Sequence, residues 1–305
     1  MKPKQITLLE VSARDGLQNE PGTLPTAAKL ALIRSALAAG LRRIEVTSFV
    51  HPDRVPQMAD AEAVCAGLPE VIDARYTGLV LNLKGLSRAL ATGRLHEIGM
   101  VVPATDTFGQ RNQGMSVEHG LDVAEEVLSA ARSAGIGAQA TIAVAFGCPF
   151  EGVVPAERVV EMAVRLAKAG PSEICLADTV GVGVPSQVLA LFPAIAAAIG
   201  DEIPLRAHFH NTRNTGIANA FAALQANVGV LDASIGGIGG CPFAPRATGN
   251  IPTEDLLYML DRMEVDTGVS LDGVLEASRQ LGECLGRSLP GMVARAGGFP
   301  RPEAA

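Results

Sequence analysis

Short β-rich runs alternate with Ala- and Leu-rich helical runs along almost the whole chain. Apolar runs bounded by Gly, Pro or Asp predict strands at 5–11, 42–47, 74–81, 96–102, 136–145, 173–177, 205–210 and 230–235. Apolar residues at helical spacing predict helices near 26–39, 58–67, 83–93, 116–134, 155–169, 185–199, 214–228 and 252–264. A helix between consecutive strands implies a parallel crossover. Eight such repeats predict an α/β fold of the (β/α)₈ TIM-barrel type rather than an open doubly wound sheet.

The predicted organisation is a single domain. The chain has 305 residues and no low-complexity linker, which suits one barrel. We expect the barrel to occupy 1–267. The remainder, 268–305, reads as one further helix at 270–287 and a Gly/Pro-rich tail that belong to the same domain.

Charge and composition exclude several classes of function. The net charge is −7 and no Lys/Arg run occurs, so we expect no nucleic-acid partner. No apolar stretch reaches the roughly 18 residues of a membrane span, and the beginning of the chain has no signal-peptide pattern. Five scattered cysteines without a CxxC pair indicate a reducing compartment. A cytoplasmic protein is expected.

Polar residues collect where the predicted strands end. His208 and His210 in "LRAHFHNTRN" share one face of an extended strand, because alternate residues point the same way. Alone, this pair is as well explained by chance. The other strand ends, however, also carry polar groups, namely Arg14, Asp15 and Gln18 after the first strand, Glu45 and Ser48 on the second, and Asp178 after the sixth. In a TIM barrel these ends form one rim, where active sites lie.

Each of these residues also has a plain structural explanation. Arg14 and Glu45 would make an ion pair in many folds, and Asp178 would cap a helix. The Gly-rich segment from Gly236 to Asn250, which contains Cys241, would be a simple flexible turn. Its length is unusual for a barrel loop, and a mobile loop can close over a ligand. Convergence on one rim favours function, since buried charges are costly unless they are paired or bind metal.

A divalent cation would account for several of the rim residues together. Asp15, His208, His210 and the amide oxygen of Asn250 supply two nitrogen and two oxygen donors. Because hard oxygen donors are present and no thiolate is obvious, the set favours Mg²⁺ or Mn²⁺ over structural zinc. Mn²⁺, Co²⁺ and Zn²⁺ remain plausible substitutes in vitro.

Long motifs match one known family in order along the chain. They are "RDGLQNE" (14–20), "IEVTSFVHPDRVPQMAD" (44–60), "NLKG" (82–85), "GCPFEG" (147–152), "DTVGVG" (178–183), "HFHNT" (208–212), "GGCPFAPRATGN" (239–250) and "TEDLLYML" (253–260). With these motifs the chain resembles the hydroxymethylglutaryl-CoA lyase family, metal-dependent barrel lyases related to isopropylmalate and homocitrate synthases. The long motifs are typical of the CoA-lyase branch rather than of the synthases.

The resemblance implies a retro-Claisen cleavage of 3-hydroxy-3-methylglutaryl-CoA to acetoacetate and acetyl-CoA, as in leucine degradation. It implies that Asp15, His208, His210 and Asn250 hold the metal and that Arg14 stabilises the enolate oxygen. Cys241 would join proton transfer from the loop, His208 would also act as acid or base, and Glu45 and Asp178 would shape the site. Candidate substrate contacts are Gln18, Ser48, Asn82, Lys84 and Arg213. The family also suggests a homodimer.

Departures from the family pattern leave the substrate open. Asn211 replaces the usual Asp after the second histidine, Arg213 adds a cation nearby, and Gln139 and Thr141 stand where Arg and Tyr often occur. Three hypotheses therefore remain. The protein cleaves hydroxymethylglutaryl-CoA, cleaves a related 3-hydroxy-dicarboxylyl-CoA ester by the same chemistry, or is a catalytically silent barrel that binds CoA esters or a partner protein.

Overall fold

Eight parallel strands form a closed barrel in the computed structural model, which confirms the predicted (β/α)₈ fold. The structure describes residues 5–240 and 249–299. The strands are β1 (Thr7–Glu10), β2 (Arg43–Ser48), β3 (Arg75–Val80), β4 (Glu97–Pro103), β5 (Gly137–Ala143), β6 (Glu173–Asp178), β7 (Leu205–Phe209) and β8 (Val230–Ala233). The helices are α1 (Thr26–Ala38), α2 (Ala61–Ala66), α3 (Leu83–Ala91), α4 (Asp106–Gln113), α5 (Val117–Ser133), α6 (Ala156–Lys168), α7 (Pro185–Ile199), α8 (Gly216–Gln225), α9 (Thr253–Arg262), α10 (Leu271–Leu285) and α11 (Val293–Ala296).

The two faces of each strand meet different surroundings. In β4, Ile98 and Met100 are fully buried in the apolar layer between the strands and the helices. Glu97, at the opposite parity, contacts Arg43 from β2 and Gln139 from β5. Strand β3 separates β2 from β4 and β5, so the side chains of Arg43, Glu97 and Gln139 meet only in the barrel interior. Strand alternation thus directs apolar residues outward and a set of charged residues inward.

The helices differ from the prediction in one missed helix and two wrong boundaries. The segment 106–113 forms α4, which was not predicted because its polar sequence "DTFGQRNQ" shows no apolar periodicity. The helix predicted near 58–67 is shorter, since a separate turn at Pro56–Met58 precedes α2. The helix predicted at 214–228 covers only Gly216–Gln225, because Asn214 and Asn227 adopt left-handed backbone conformations on either side of it.

The segment after the barrel packs against the first helix. Ser270, which caps α10, donates its backbone N–H to the carbonyl of Ala39 at 2.7 Å, and Ser35 of α1 donates to Gln280 of α10 at 2.9 Å. These contacts agree with a C-terminal extension of the barrel, while the boundary at 267 stays a prediction. Within 5–240 and 249–299, no helix is long and apolar enough to cross a membrane.

Candidate active site

The turn after β1 places Arg14 and Asp15 at the carboxyl-terminal rim of the barrel. Buried Glu10, the last residue of β1, accepts hydrogen bonds from the backbone N–H groups of Ser12 at 2.8 Å and Ile235 at 3.0 Å. Glu10 therefore fixes the turn after β1 (Ser12–Gly16) to the turn after β8. Sequence reasoning missed this residue, although a glutamate at the end of an apolar strand was a visible signal.

Arg14 joins two carboxylates of the rim. Its Nε and Nη2 lie 2.7 and 2.6 Å from Oε2 of Glu45, and its Nη1 lies 2.6 Å from Oδ1 of Asp15. Burial opposes the charge of Arg14, but Glu45 and Asp15 outweigh it and raise the Arg14 pKa. Burial raises the pKa of Asp15, but the charges of Arg14 and His208 and the hydrogen bond from Asn250 outweigh it, and the Asp15 pKa falls to about 2. Arg14 and Asp15 are thus both charged at neutral pH.

The two histidines face Asp15 across the rim. The rings of His208 and His210 lie 5.2 Å apart, as expected for side chains on one face of a strand. Asp15, His208 and His210 each offer one donor atom, and these atoms all lie within 4.8 Å of one another. The structure therefore brings together three of the four predicted ligands in the geometry of a metal site.

Asn250 reaches the same place through backbone pairing. Residues 249–251 run beside the end of β7: the backbone N–H of Asn211 donates to the Gly249 carbonyl at 3.0 Å, and that of Ile251 donates to the Phe209 carbonyl at 3.1 Å. The side-chain Nδ2 of Asn250 then donates to Oδ2 of Asp15 at 2.8 Å.

A glycine makes room for this amide. Gly239 has a φ of +114°, and a Cβ at this position would lie 2.4 Å from Nδ2 of Asn250. Both the backbone conformation and the close contact therefore require glycine.

The donor set fits a divalent cation. Nδ1 of His210 and Oδ1 of Asn250 are buried and have no hydrogen-bond partner among the described residues. Buried polar atoms without a partner are rare and call for one. Burial, reinforced by the charge of His208, lowers the pKa of His210 to about 3, so this imidazole is neutral and able to donate a lone pair. An ionised carboxylate, imidazoles and an amide oxygen are donors that Mg²⁺ and Mn²⁺ accept.

Asp178 and Ser48 have local structural roles. The carboxylate of Asp178 accepts hydrogen bonds from the backbone N–H groups of Val182 and Gly183, both at 2.9 Å, and so closes the turn after β6. Burial raises the pKa of Asp178. Ser48 is fully buried, and its Oγ accepts from the N–H of Val50 at 3.4 Å. These contacts hold the two turns in place, and a role of Asp178 in the active site stays a prediction.

The other predicted substrate contacts are spread around the rim. Oε1 of Gln18 is buried without a hydrogen-bond partner in the described part of the chain. Asn82 caps α3 by accepting from the N–H of Gly85 at 2.9 Å, and Lys84 is exposed. Arg213 donates to the Val180 and Gly181 carbonyls at 3.1 and 2.9 Å. Cys241 lies outside the described residues, so its role stays a prediction.

The protein is a parallel eight-stranded barrel. The carboxyl ends of its strands carry two histidines, a carboxylate and an arginine. This arrangement defines the class of TIM-barrel enzymes with a candidate metal site. Comparison with known proteins narrows the class. The family model described as HMGL-like matches residues 5–281. The chain is 43% identical to the (R)-citramalyl-CoA lyase of Chloroflexus aurantiacus, covering 96% of this chain and 95% of that protein.

Solved structures agree with this match. The HMG-CoA lyase of Bacillus subtilis superposes with a TM-score of 0.92 at 38% identity, covering 96% of this chain and 98% of that one. An HMG-CoA lyase from Acinetobacter baumannii, solved in complex with coenzyme A and 3-methylmalate, also gives a TM-score of 0.92, at 37% identity over 98% of both chains. The chain belongs to the HMGL-like family and is a carbon–carbon lyase, which confirms the resemblance drawn from its motifs.

Proposed function

We propose that the protein is a divalent-metal-dependent lyase that cleaves 3-hydroxy-3-methylglutaryl-CoA to acetoacetate and acetyl-CoA. The observation that carries the proposal is the set of donor atoms from Asp15, His208 and His210 within 4.8 Å of one another, with Arg14 paired to Asp15. Membership of a family of CoA-ester lyases supports the choice of substrate class.

The reaction breaks one carbon–carbon bond. The hydroxyl on C3 loses its proton and becomes a carbonyl, the C2–C3 bond breaks, and its electron pair passes to C2 as a thioester enolate. Protonation at C2 then gives acetyl-CoA. Overall, the proton lost from the hydroxyl is balanced by the proton gained at C2, so the reaction needs no oxidant or reductant.

The residues divide these tasks. Asp15, His208, His210 and the amide oxygen of Asn250 would hold Mg²⁺ or Mn²⁺, which polarises a hydroxyl and lowers its pKa when bound. Arg14, held in place by Glu45, presents a fixed positive charge for the enolate oxygen, and fixed charges are worth most where charge develops in the transition state. His208 would also serve as a proton acceptor or donor.

Further contacts complete the proposal. Cys241 would exchange a proton with the substrate from its loop, and Gln18, Ser48, Asn82, Lys84 and Arg213 are proposed to contact the acyl-CoA. We also propose that the protein acts in leucine degradation, is located in the cytoplasm and forms a homodimer. Light scattering of the purified protein would test the dimer.

A second substrate has a specific argument in its favour. The relative from Chloroflexus aurantiacus is a citramalyl-CoA lyase, and the protein from Acinetobacter baumannii is solved with coenzyme A and 3-methylmalate. Citramalyl-CoA has the same 3-hydroxyl and thioester, with its free carboxylate one methylene closer to the reacting carbon. The chemistry at Arg14 and the metal ligands would be identical.

A panel of CoA esters tests both alternatives. Purified protein is incubated with Mg²⁺ or Mn²⁺ and with hydroxymethylglutaryl-CoA or (R)-citramalyl-CoA, and acetyl-CoA release is followed. We expect metal-dependent cleavage with a higher kcat/KM for hydroxymethylglutaryl-CoA. A higher kcat/KM for citramalyl-CoA would replace the substrate but keep the mechanism. No turnover of either ester and no effect of EDTA would favour a silent CoA-ester-binding barrel.

A further inference from the structure

One ring nitrogen of His208 contacts a carboxylate that has no part in the proposed reaction. Nδ1 of His208 lies 3.0 Å from Oδ2 of Asp232 on the neighbouring strand β8, and both side chains are buried. Nε2 of the same ring lies 4.0 Å from Oδ2 of Asp15. The imidazole thus lies between two sets of groups. Asp232 contacts Nδ1, and Nε2 faces the candidate metal ligand Asp15.

The contact with Asp232 determines which nitrogen of His208 carries the proton. An ionised carboxylate can only accept a hydrogen bond, so Nδ1 of His208 must donate. In the neutral ring Nε2 then has a free lone pair, and this nitrogen faces Asp15. In metal sites generally, the histidine nitrogen that does not bind the metal donates a hydrogen bond to a carboxylate. This hydrogen bond fixes the orientation of the ring and its tautomer.

Asp232 is itself clamped by Arg206 of β7. Nη1 of Arg206 forms an ion pair with Oδ2 of Asp232, and its Nε lies 2.7 Å from Oε1 of Glu173. Its Nη2 donates to Oε1 of Gln139 at 3.2 Å and to Oγ1 of Thr141 at 3.3 Å. The guanidinium therefore has partners on β5, β6 and β8, and Asp232 cannot turn away without breaking an ion pair inside the barrel.

We infer that Asp232, clamped by Arg206, is a positioning residue that fixes His208 with Nδ1 protonated and Nε2 directed at the cation. The inference rests on the proposed metal-dependent function, and it makes metal ligation and proton transfer alternative roles of Nε2 of His208, since that nitrogen has one lone pair. It goes beyond that function by assigning roles to two interior residues, and it assigns Gln139 and Thr141 the task of seating Arg206.

The test compares two variants of the same charge network. Asp232→Asn removes the charge that faces both His208 and Arg206. Glu97→Gln is the matched control, because Glu97 is also a buried interior carboxylate but pairs with Arg43 rather than with Arg206 or His208, and a glutamine there can still accept the hydrogen bond from Nε2 of Gln139. Mn²⁺ affinity is measured by electron paramagnetic resonance on metal-free protein without substrate, and Tm without metal is recorded for each variant.

We expect the Mn²⁺ Kd of Asp232→Asn to rise by about 10–100-fold, the usual cost of losing such a partner. The Kd of Glu97→Gln should stay within about twofold of the parental value. A parental Kd in Asp232→Asn would overturn the inference, and so would an equal rise in both variants. Failure of the parental protein to bind Mn²⁺ would overturn the metal-dependent function, and the inference with it.

A second measurement needs no variant at Asp232. Long-range ¹H–¹⁵N spectra of metal-free, histidine-labelled parental protein at a pH where the ring is neutral report which nitrogen of His208 carries the proton, with the signal assigned by its loss in His208→Asn. Protonation at Nδ1 is the expected result. Protonation at Nε2 alone would overturn the inference even if Asp232→Asn does not fold.

Discussion

Glu254 is expected to make the fold less stable as the pH rises toward neutrality. This glutamate lies in the first turn of α9 and is fully buried. Its Oε2 accepts from the backbone N–H of Gly236 at 3.0 Å, and its Oε1 accepts from Oγ of Ser278 at 3.0 Å. Burial raises the pKa of Glu254 from 4.5 to about 7, and these hydrogen bonds offset only part of that effect.

The magnitude follows from the shift in pKa. Between about pH 4.5 and 7 the folded protein keeps a proton on Glu254 that the unfolded chain releases. The free energy of unfolding therefore decreases with pH in this range. The contribution is fully present below pH 4.5 and is lost as the pH rises through 7. At about 1.4 kcal/mol for each pH unit, the loss from this one group is about 3 kcal/mol.

Urea unfolding of the parental protein and Glu254→Gln at pH 5 and pH 8 isolates the effect. Glutamine cannot ionise, and its amide can accept from Gly236 and donate to Ser278. The parental protein should lose free energy of unfolding between pH 5 and pH 8, whereas Glu254→Gln should not. The difference in free energy of unfolding between the two proteins should therefore change by about 2–3 kcal/mol in favour of Glu254→Gln. Glu126→Gln, at an exposed position on α5, controls for the loss of one carboxyl and should follow the parental curve. Parallel pH dependence of Glu254→Gln and the parental protein would refute the reasoning.

Three further predictions concern the site. Arg14→Gln should lower kcat by about 10²–10³-fold with little change in KM, because the enolate charge exists only late in the reaction; steady-state kinetics that show a parental kcat would contradict the role. Mn²⁺ at about a hundred times its Kd should raise the free energy of unfolding by about 2.7 kcal/mol, and Asp15→Ala should lose this gain together with activity; denaturation curves with Mn²⁺ and with EDTA that coincide for the parental protein would show that no ion binds the fold. Cys241→Ala should reduce turnover while leaving the calorimetric Mn²⁺ affinity unchanged, and full activity would return Cys241 to a structural role.

Much of the fold and rim could be predicted because both depend on local patterns. Regular alternation of strand and helix signals defined the barrel, and strand parity placed His208 and His210 together. Asn250 was proposed as a ligand from the chemistry of the donor set and not from a local pattern, since its position follows from backbone pairing of residues 249–251 with the end of β7, about forty residues earlier in the chain. No local pattern encodes that pairing.

The charged interior was missed for a different reason. Glu97, Glu173 and Arg206 lie on strands, where isolated charges usually indicate a solvated face. A strand in a barrel surrounded by helices has no such face, so a charge at inward parity must lie inside the barrel. The signal was present in the alternation of Arg206, His208 and His210 along one strand. Because Arg206, His208 and His210 alternate along the strand, their side chains point to the same side. Arg206 should therefore have been predicted to point into the barrel with the histidines.

The balance of charge inside the barrel connects the interior network to the rim. Ion pairs link Arg43 and Arg206 to three carboxylates, those of Glu97, Glu173 and Asp232. At the rim, Arg14 is paired with both Asp15 and Glu45. Each group has one more carboxylate than guanidinium, and the two groups meet at His208, which lies between Asp232 and Asp15. A divalent cation at that point would lie beside both groups. Of the three interior carboxylates, Asp232 is the one that contacts His208, so it is the residue through which the interior supplies negative charge to the site, while Arg206 keeps it in place.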